Sequence, residues 1–266
     1  MIKQAFESKK TVFIPFIMAG HPTLGESKQA IIALSEAGAN IIELGVPFSD
    51  PVADGPVNQR AAEIALQQGT TLDSIFEMVQ ELRSQGCHTP ILLFTYFNPV
   101  LTLGIEVFAI KAKKAGIQGV LVVDLPPEEG QDFYMILKQL GLEIVLLASP
   151  TTDPQRFDLY KQLNPSFLYY ISRLAVTGMQ SALSDNLEAD VSSLRTHFPN
   201  TKIAIGFGIS NAKQAASVAE FADGVVIGSL LVNSLEQDGL GNFKTLAITL
   251  CEAISALPRC ARNDGV

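Results

Sequence analysis

Positive charge, histidine and cysteine are all scarce in this chain. Of its 266 residues, 19 are Lys or Arg against 27 Asp or Glu, a formal net charge of −8. That balance speaks against nucleic acid or an anionic membrane surface as the main partner, although a local amide-rich pocket still suffices for a small anion. The three histidines, His21, His88 and His197, are widely separated and form no ligand pair, so no histidine-based metal site is expected. The cysteines, Cys87, Cys251 and Cys260, are odd in number and lack zinc-site spacing. With no signal-peptide pattern ahead of the first strand-like run, they suit a reducing, cytoplasmic compartment. No apolar run reaches the roughly 18 residues of a membrane span. Pro/Ser-rich linkers and blocks of like charge are missing too, so nothing in the sequence divides the chain.

Hydrophobic residues are abundant at 47%, enough for a large buried core and too many for a disordered chain. Short apolar runs recur: "TVFIPFIMAG", "NIIELGV", "PILLFTYF", "GVLVVD", "EIVLLAS", "SFLYYIS", "KIAIGFG" and "GVVIGS". Amphipathic stretches such as "SKQAIIALSEAG" and "TLDSIFEMVQELRSQG" separate them. Several of these runs are apolar at nearly every position, as strands of a parallel sheet covered on both faces must be. About eight βα units in one chain of this length imply an α/β fold, a (β/α)₈ TIM barrel spanning residues 1–266. A doubly wound open sheet is the alternative, but "IMAGHPTLGES" lacks the dinucleotide glycine spacing. Residues 1–10 read as an extra N-terminal helix, and residues 258–266 as a loose tail.

One strand carries an anomaly. In "IELGVPFSDPVADGP", residues 42–56, Glu43 stands where a core strand calls for Val or Ile. Strand alternation sends Ile42, Leu44 and Val46 towards the helices and Glu43, with Ile41 and Gly45, into the barrel. Glu43 lies near the C-terminal end of its strand, where barrel enzymes keep their active sites. A carboxyl among apolar side chains has a raised pKa and is suited to proton transfer near neutral pH. The structural alternative is a brace to a buried Arg or Lys, yet no other strand candidate carries one inside its run. Asp50 and Asp54 follow in the loop, where ordinary Asp-Pro and Asp-Gly turn chemistry competes with function. A magnesium or manganese site would need a further carboxylate at another strand end, and Asp124 in "LVVDLPP" is the one candidate. Near the C-terminal end, "IGFGIS" and "VIGSLL" place glycines after two adjacent strands. With a helix start at Gly228-Ser229, they form a pattern that holds phosphate on backbone N–H groups.

These residues carry a family resemblance. "ELGVPFSDPVADGP" resembles the signature of the tryptophan synthase alpha chain family, and so do "PFIMAGHP", "LLFTYFNPV", "GVLVVDLPPEE", "ISRLAVTG", "IGFGIS" and "VIGSLLV". The resemblance implies a (β/α)₈ lyase that cleaves indole-3-glycerol phosphate to indole and glyceraldehyde 3-phosphate. It implies no cofactor and no metal on this chain. Pyridoxal phosphate is expected only on a partner beta chain, which receives the indole within an alpha2-beta2 heterotetramer. It assigns Glu43 as general acid/base and Asp54 as partner of the indole N–H. Phe16, Phe94, Tyr96, Leu121, Tyr169 and Val226 would line the indole pocket. Thr177, Gly178, Phe207, Gly208, Gly228 and Ser229 would serve the phosphate end and the loop closing over it. Two positions depart from the family pattern: Leu174-Ala175, where "AG" is more usual, and His21, where an acidic residue is common. A stand-alone lyase releasing free indole and a non-catalytic allosteric barrel remain as alternatives, although intact Glu43 and Asp54 argue against the latter. The proline-rigid loops "FSDPVADGP" and "YFNPV" read as a docking face for the beta chain, with Pro47, Asp50, Pro51 and Asn98 in contact. The segment 172–186 reads as an active-site lid.

Overall fold

The structure is a computed structural model describing residues 1–7, 10–171, 187–206 and 208–256. Its strands are β1 (Val12–Met18), β2 (Ile42–Gly45), β3 (Ile91–Thr95), β4 (Gly119–Val122), β5 (Glu143–Ile144), β6 (Leu146–Ala148), β7 (Phe167–Ile171), β8 (Lys202–Gly206) and β9 (Gly224–Ile227). All pairings are parallel, in the order β5-β4-β3-β2-β1-β9-β8-β7-β6. β5 and β6 are two halves of one strand interrupted at Val145, so the expected eight-stranded barrel closes through that segment. Around it run α1 (Ile2–Ala5), α2 (Leu24–Glu36), α3 (Pro56–Gln67), α4 (Leu72–Ser84), α5 (Phe97–Leu103), α6 (Ile105–Ala115), α7 (Gln131–Gln139), α8 (Phe157–Leu163), α9 (Leu187–His197), α10 (Ala212–Ala219), α11 (Ser229–Gln237) and α12 (Gly239–Ser255).

Alternation along the strands sorts the apolar side chains into two layers. Ile42, Leu44 and Val46 join the large cluster between strands and helices, as do Phe13 and Ile17 of β1. Ile41, Ile14, Phe16, Met18, Leu92, Phe94, Leu121, Val145, Phe167, Tyr169, Ala204 and Val226 form a separate cluster inside the barrel. Helix starts follow local chemistry: Thr23 caps α2 by accepting the Glu26 N–H, and Thr71 with Ser74 closes a capping box on α4. Pro56 opens α3, where its missing N–H costs nothing.

The expected N-terminal helix is present but short, four residues rather than ten. It seals the N-terminal end of the barrel. Ile2 and Phe6 enter the interior cluster, with the Phe6 and Phe167 rings 5.3 Å apart. Gly119 makes room for Ile2: a Cβ there would lie 2.5 Å from Ile2 Cδ1 and 2.9 Å from the Glu143 carbonyl oxygen. Glu143 fixes the seal, accepting from the Ile2 and Lys3 N–H groups at 2.8 and 2.9 Å and from the Ser166 hydroxyl at 2.6 Å. Burial alone would raise the Glu143 carboxyl, but these hydrogen bonds and the Met1 amine hold it below its ordinary value.

A depressed carboxyl pKa contributes stability above the unfolded value and loses it as pH falls through the folded one. Glu143→Ala is expected to lower unfolding stability in urea at pH 7 by ~1.5 to 3 kcal/mol, the range for hydrogen bonds to a charged group. The deficit should shrink as the buffer is taken below the ordinary glutamate pKa. A variant within ~0.5 kcal/mol of wild type at pH 7, the scatter of an ordinary surface change, would mean that the carboxylate does not hold the seal.

Candidate active site

At the opposite end of the barrel the chain places its anomalous carboxyl. Glu43 is registered between Phe16 of β1 and Leu92 of β3, pointing into the interior cluster. It is 1% exposed, and its Oε1 has no hydrogen-bond partner. Among the described residues no Lys or Arg forms an ion pair with it. The buried ion pairs of the strand region lie at the other end, where Arg195 and Lys202 approach Asp223 at 3.0 and 3.5 Å. Bracing by a basic side chain is therefore not what Glu43 does. Burial, with a smaller push from the nearby Asp54 charge, raises its carboxyl to about 8.

Asp54 arrives on the loop between β2 and α3. One of its oxygens, Oδ2, accepts a hydrogen bond from the Tyr96 hydroxyl at 2.8 Å. Burial raises the Asp54 carboxyl, while hydrogen bonds from Tyr96 and Asn58 pull the other way. Two carboxyls thus share one site with different support: Glu43 is surrounded by apolar groups, and Asp54 is held by polar ones. Tyr169 completes the group. It is buried, and its hydroxyl is pushed well up by burial and by the charges of Glu43 and Asp54. Gly206 on β8 leaves the space for it, since a Cβ there would collide with the Tyr169 hydroxyl.

The interior side chains around Glu43 are apolar and closely packed. Phe16 and Phe94 meet edge to face at 5.4 Å and 79°. Glycine makes room beside them: a Cβ at Gly45 would come within 2.7 Å of the Phe16 ring and force a shift, and one at Gly228 would press on it at 3.3 Å. Leu121, Tyr169 and Val226 belong to the same cluster. Gly228 is the N-cap of α11 and offers no side-chain hydrogen bond; its carbonyl accepts the Leu231 and Val232 N–H groups at 2.8 and 3.0 Å. Gly208 lies after β8 with φ +78, a conformation that favours glycine. Thr177, Gly178 and Phe207, the segment 172–186 with Leu174 and Ala175, and the tail 258–266 lie outside the described residues.

The structure reassigns several loop residues. Pro47 is buried and offers no docking surface, whereas Asp50 and Asn98 are exposed and Pro51 is partly so. Asp50 accepts from the Ser49 hydroxyl at 2.6 Å, which is local turn chemistry. Asp124 accepts the Phe97 N–H at 2.7 Å and so caps α5 from the neighbouring βα unit. No group of three or more His, Cys, Asp and Glu among the described residues is gathered as a metal would require. His21 is buried at 1% exposure, with Nε2 3.4 Å from Glu236, whose other oxygen pairs with Arg60 at 2.5 Å. Burial lowers its pKa. Sequence reasoning missed Asn58, and it also missed Val123, Leu147 and Ile171, partly buried residues packed against the interior cluster. Two-residue alternation beyond Leu121, Val145 and Tyr169 carried that signal. These three also line a cleft of about 290 Å³ running to Asp124, Ser149 and Arg156.

A closed parallel barrel with a proton-holding carboxyl and a hydrogen-bonded second one at the C-terminal ends of its strands defines a (β/α)₈ protein of the acid–base type. The family model for the tryptophan synthase alpha chain matches residues 2–256. The tryptophan synthase alpha chain of Geotalea daltonii is 43% identical over 250 residues, covering 94% of each chain. A protein of Saccharomyces cerevisiae named tryptophan synthase is 40% identical over 235 residues, which are 87% of this chain and 33% of that protein. The crystal structure of tryptophan synthase subunit alpha from Legionella pneumophila superposes with TM-score 0.89 at 34% identity, covering 96% and 98% of the two chains. The chain belongs to the tryptophan synthase alpha chain family.

The raised Glu43 pKa has a thermodynamic signature. Between the ordinary glutamate value of 4.5 and about 8 the folded state keeps a proton that the unfolded state has released. Stability therefore falls with pH across that window. Glu43→Gln removes the titration, so its stability relative to wild type should rise by more than ~1 kcal/mol between pH 5 and pH 8.5 in urea unfolding. Parallel stability curves for the two proteins would show that Glu43 ionises normally in the fold.

Proposed function

We propose that the chain cleaves indole-3-glycerol phosphate to indole and glyceraldehyde 3-phosphate in a retro-aldol reaction. The observation that carries this reading is Glu43, a carboxyl with Oε1 unpartnered, raised to about 8 and set among apolar side chains near Asp54. Family membership supports a lyase, and the chemistry of the site supports this lyase.

In this reading the indole ring enters the slot made by Phe16, Phe94, Tyr96, Leu121, Tyr169 and Val226. The phosphate sits on the N–H groups at Gly228 and Ser229 and beside Gly208, with Thr177, Gly178 and Phe207 serving the same end. Glu43, protonated at neutral pH, gives its proton to the ring carbon that bears the glycerol chain. Positive charge then develops on the ring nitrogen, and the Asp54 carboxylate opposite the N–H offsets it. The carbon–carbon bond breaks, and its electrons return to the ring as indole forms. The adjacent chain hydroxyl becomes the aldehyde, releasing its proton to the Glu43 carboxylate. The proton count closes, and Glu43 ends as it began. This step needs no cofactor on this chain.

The partner is a pyridoxal-phosphate-bearing beta chain, joined in an alpha2-beta2 heterotetramer in the cytoplasm, that takes up the indole. Supporting this, Val52 is 85% exposed on the β2–α3 loop beside exposed Asp50, and Leu101 is 52% exposed on α5 beside exposed Asn98. The yeast relative, three times the matched length, is named for the whole synthase. No helix among the described residues is long and apolar enough to cross a membrane.

Glu43→Gln is expected to lower glyceraldehyde 3-phosphate release by ~10² to 10⁴, with or without the beta chain, as loss of a general acid does. Asp54→Asn should also cut turnover severely while the shape of the loop persists. In wild type the rate should fall on the alkaline side near 8, where Glu43 loses its proton. Turnover of Glu43→Gln within threefold of wild type would reject the assignment.

A further inference from the structure

The hydroxyl of Tyr96 has more to do than line a pocket. Tyr96 follows β3 directly, immediately before α5, and is 2% exposed. Its oxygen makes two hydrogen bonds to consecutive residues of another loop: it accepts the Ala53 N–H at 3.0 Å and donates to Asp54 Oδ2 at 2.8 Å. The ring packs on Phe48 of that same loop, with centroids 5.1 Å apart. Two contacts around the residue hold its backbone. The Thr95 hydroxyl donates to the Tyr96 carbonyl at 3.0 Å, and Asp124 takes the next N–H, that of Phe97, at 2.7 Å. The loop it grips is otherwise open: Ser49, Asp50, Val52 and Ala53 are all exposed. A buried tyrosine thus reaches out to the exposed loop and clasps it at Ala53 and Asp54.

We propose that Tyr96 is the positioning residue for Asp54: its hydroxyl fixes the loop at Ala53–Asp54 and aims an ionised Asp54 carboxylate at the substrate. The proposal rests on the lyase reading for its substrate, but the clasp itself is a property of the chain alone. The physical reasoning has two parts. A hydrogen bond from a neutral donor to a carboxylate favours the ionised form, opposing the rise that burial imposes on Asp54. The hydroxyl does not ionise in competition, because burial and the Asp54 charge beside it hold its own pKa far above neutrality. The Ala53 N–H bond to the same oxygen orients the phenol, so that its proton points at Asp54 rather than elsewhere.

Tyr96→Phe removes the oxygen and leaves the ring that would flank indole. In the lyase assay we expect kcat to fall about tenfold or more, with KM for indole-3-glycerol phosphate within threefold, the pattern of an interaction used in the transition state. The acid limb of kcat against pH should move upward, because Asp54 loses a donor that kept it ionised. In an Asp54→Asn background, Tyr96→Phe should add little, since both act through one group. A substrate-free measurement separates this proposal from the lyase reading: in ¹³C-labelled aspartate protein, the Asp54 titration should rise in Tyr96→Phe relative to wild type. Tyr96→Phe protein that melts like wild type but shows an unmoved Asp54 titration would overturn the proposal. So would a raised KM with unchanged kcat, which would make Tyr96 a pocket wall only.

Discussion

A carboxyl group buried in an apolar barrel without a counter-ion costs free energy unless it keeps its proton. Glu43 is in that position, and much of the surrounding structure follows from keeping it there. Its strand neighbours Phe16 and Leu92 are apolar, Gly45 and Gly228 let the Phe16 ring close over the space, and α1 seals the far end of the barrel. Water that reached Glu43 freely would let it ionise and would remove the property that suits it to proton transfer. The site's chemistry is thus a consequence of packing rather than of any special residue type.

The two ends of the barrel divide the work. At the N-terminal end of the strands, charged groups are paired and satisfied. Glu143 holds the chain start, and Asp223 takes Arg195 and the Ile203 N–H. Arg83 bonds the carbonyls of Gly116, Cys87 and Thr89 and the side chain of Gln118, joining the entries to β3 and β4. Removing one partner from such a network leaves a buried polar group unpaired, so this end resists change. At the C-terminal end the polar groups are arranged for a different purpose. Glu43 Oε1 is left without a partner, and Asp54 is held by a phenol rather than neutralised by a cation. Paired charge is concentrated at one end and the unpartnered carboxyl at the other, as the barrel topology allows.

Much of this was legible in the sequence, for reasons specific to each element. Strands such as "PILLFTYF" are apolar on both faces, which only a covered parallel sheet explains, and the barrel followed from their number. The inward aim of Glu43 followed from two-residue alternation, and the structure sorts Ile41 and Ile42 into opposite layers as that requires. Other features were hidden because they depend on contacts between distant units. Nothing local marks Tyr96 as the donor to Asp54, 42 residues away, or Asp124 as the cap of α5. Pro47 looked like a rigid surface residue because proline suits exposed turns, yet here it lies buried under the loop. The break at Val145 is similarly silent in "EIVLLAS", where Val145 sits inside a continuous apolar run and is itself a strong strand former.

The central claim is that the fold keeps Glu43 protonated at neutral pH, and a direct titration tests it. With ¹³C-labelled glutamate and Glu43→Gln to assign the resonance, the side-chain carboxyl shift can be followed from pH 4 to pH 10. The account predicts a midpoint near 8 for Glu43 in the folded protein. A midpoint close to the ordinary glutamate value of 4.5 would contradict it, since a carboxylate already ionised at pH 7 has no proton to give.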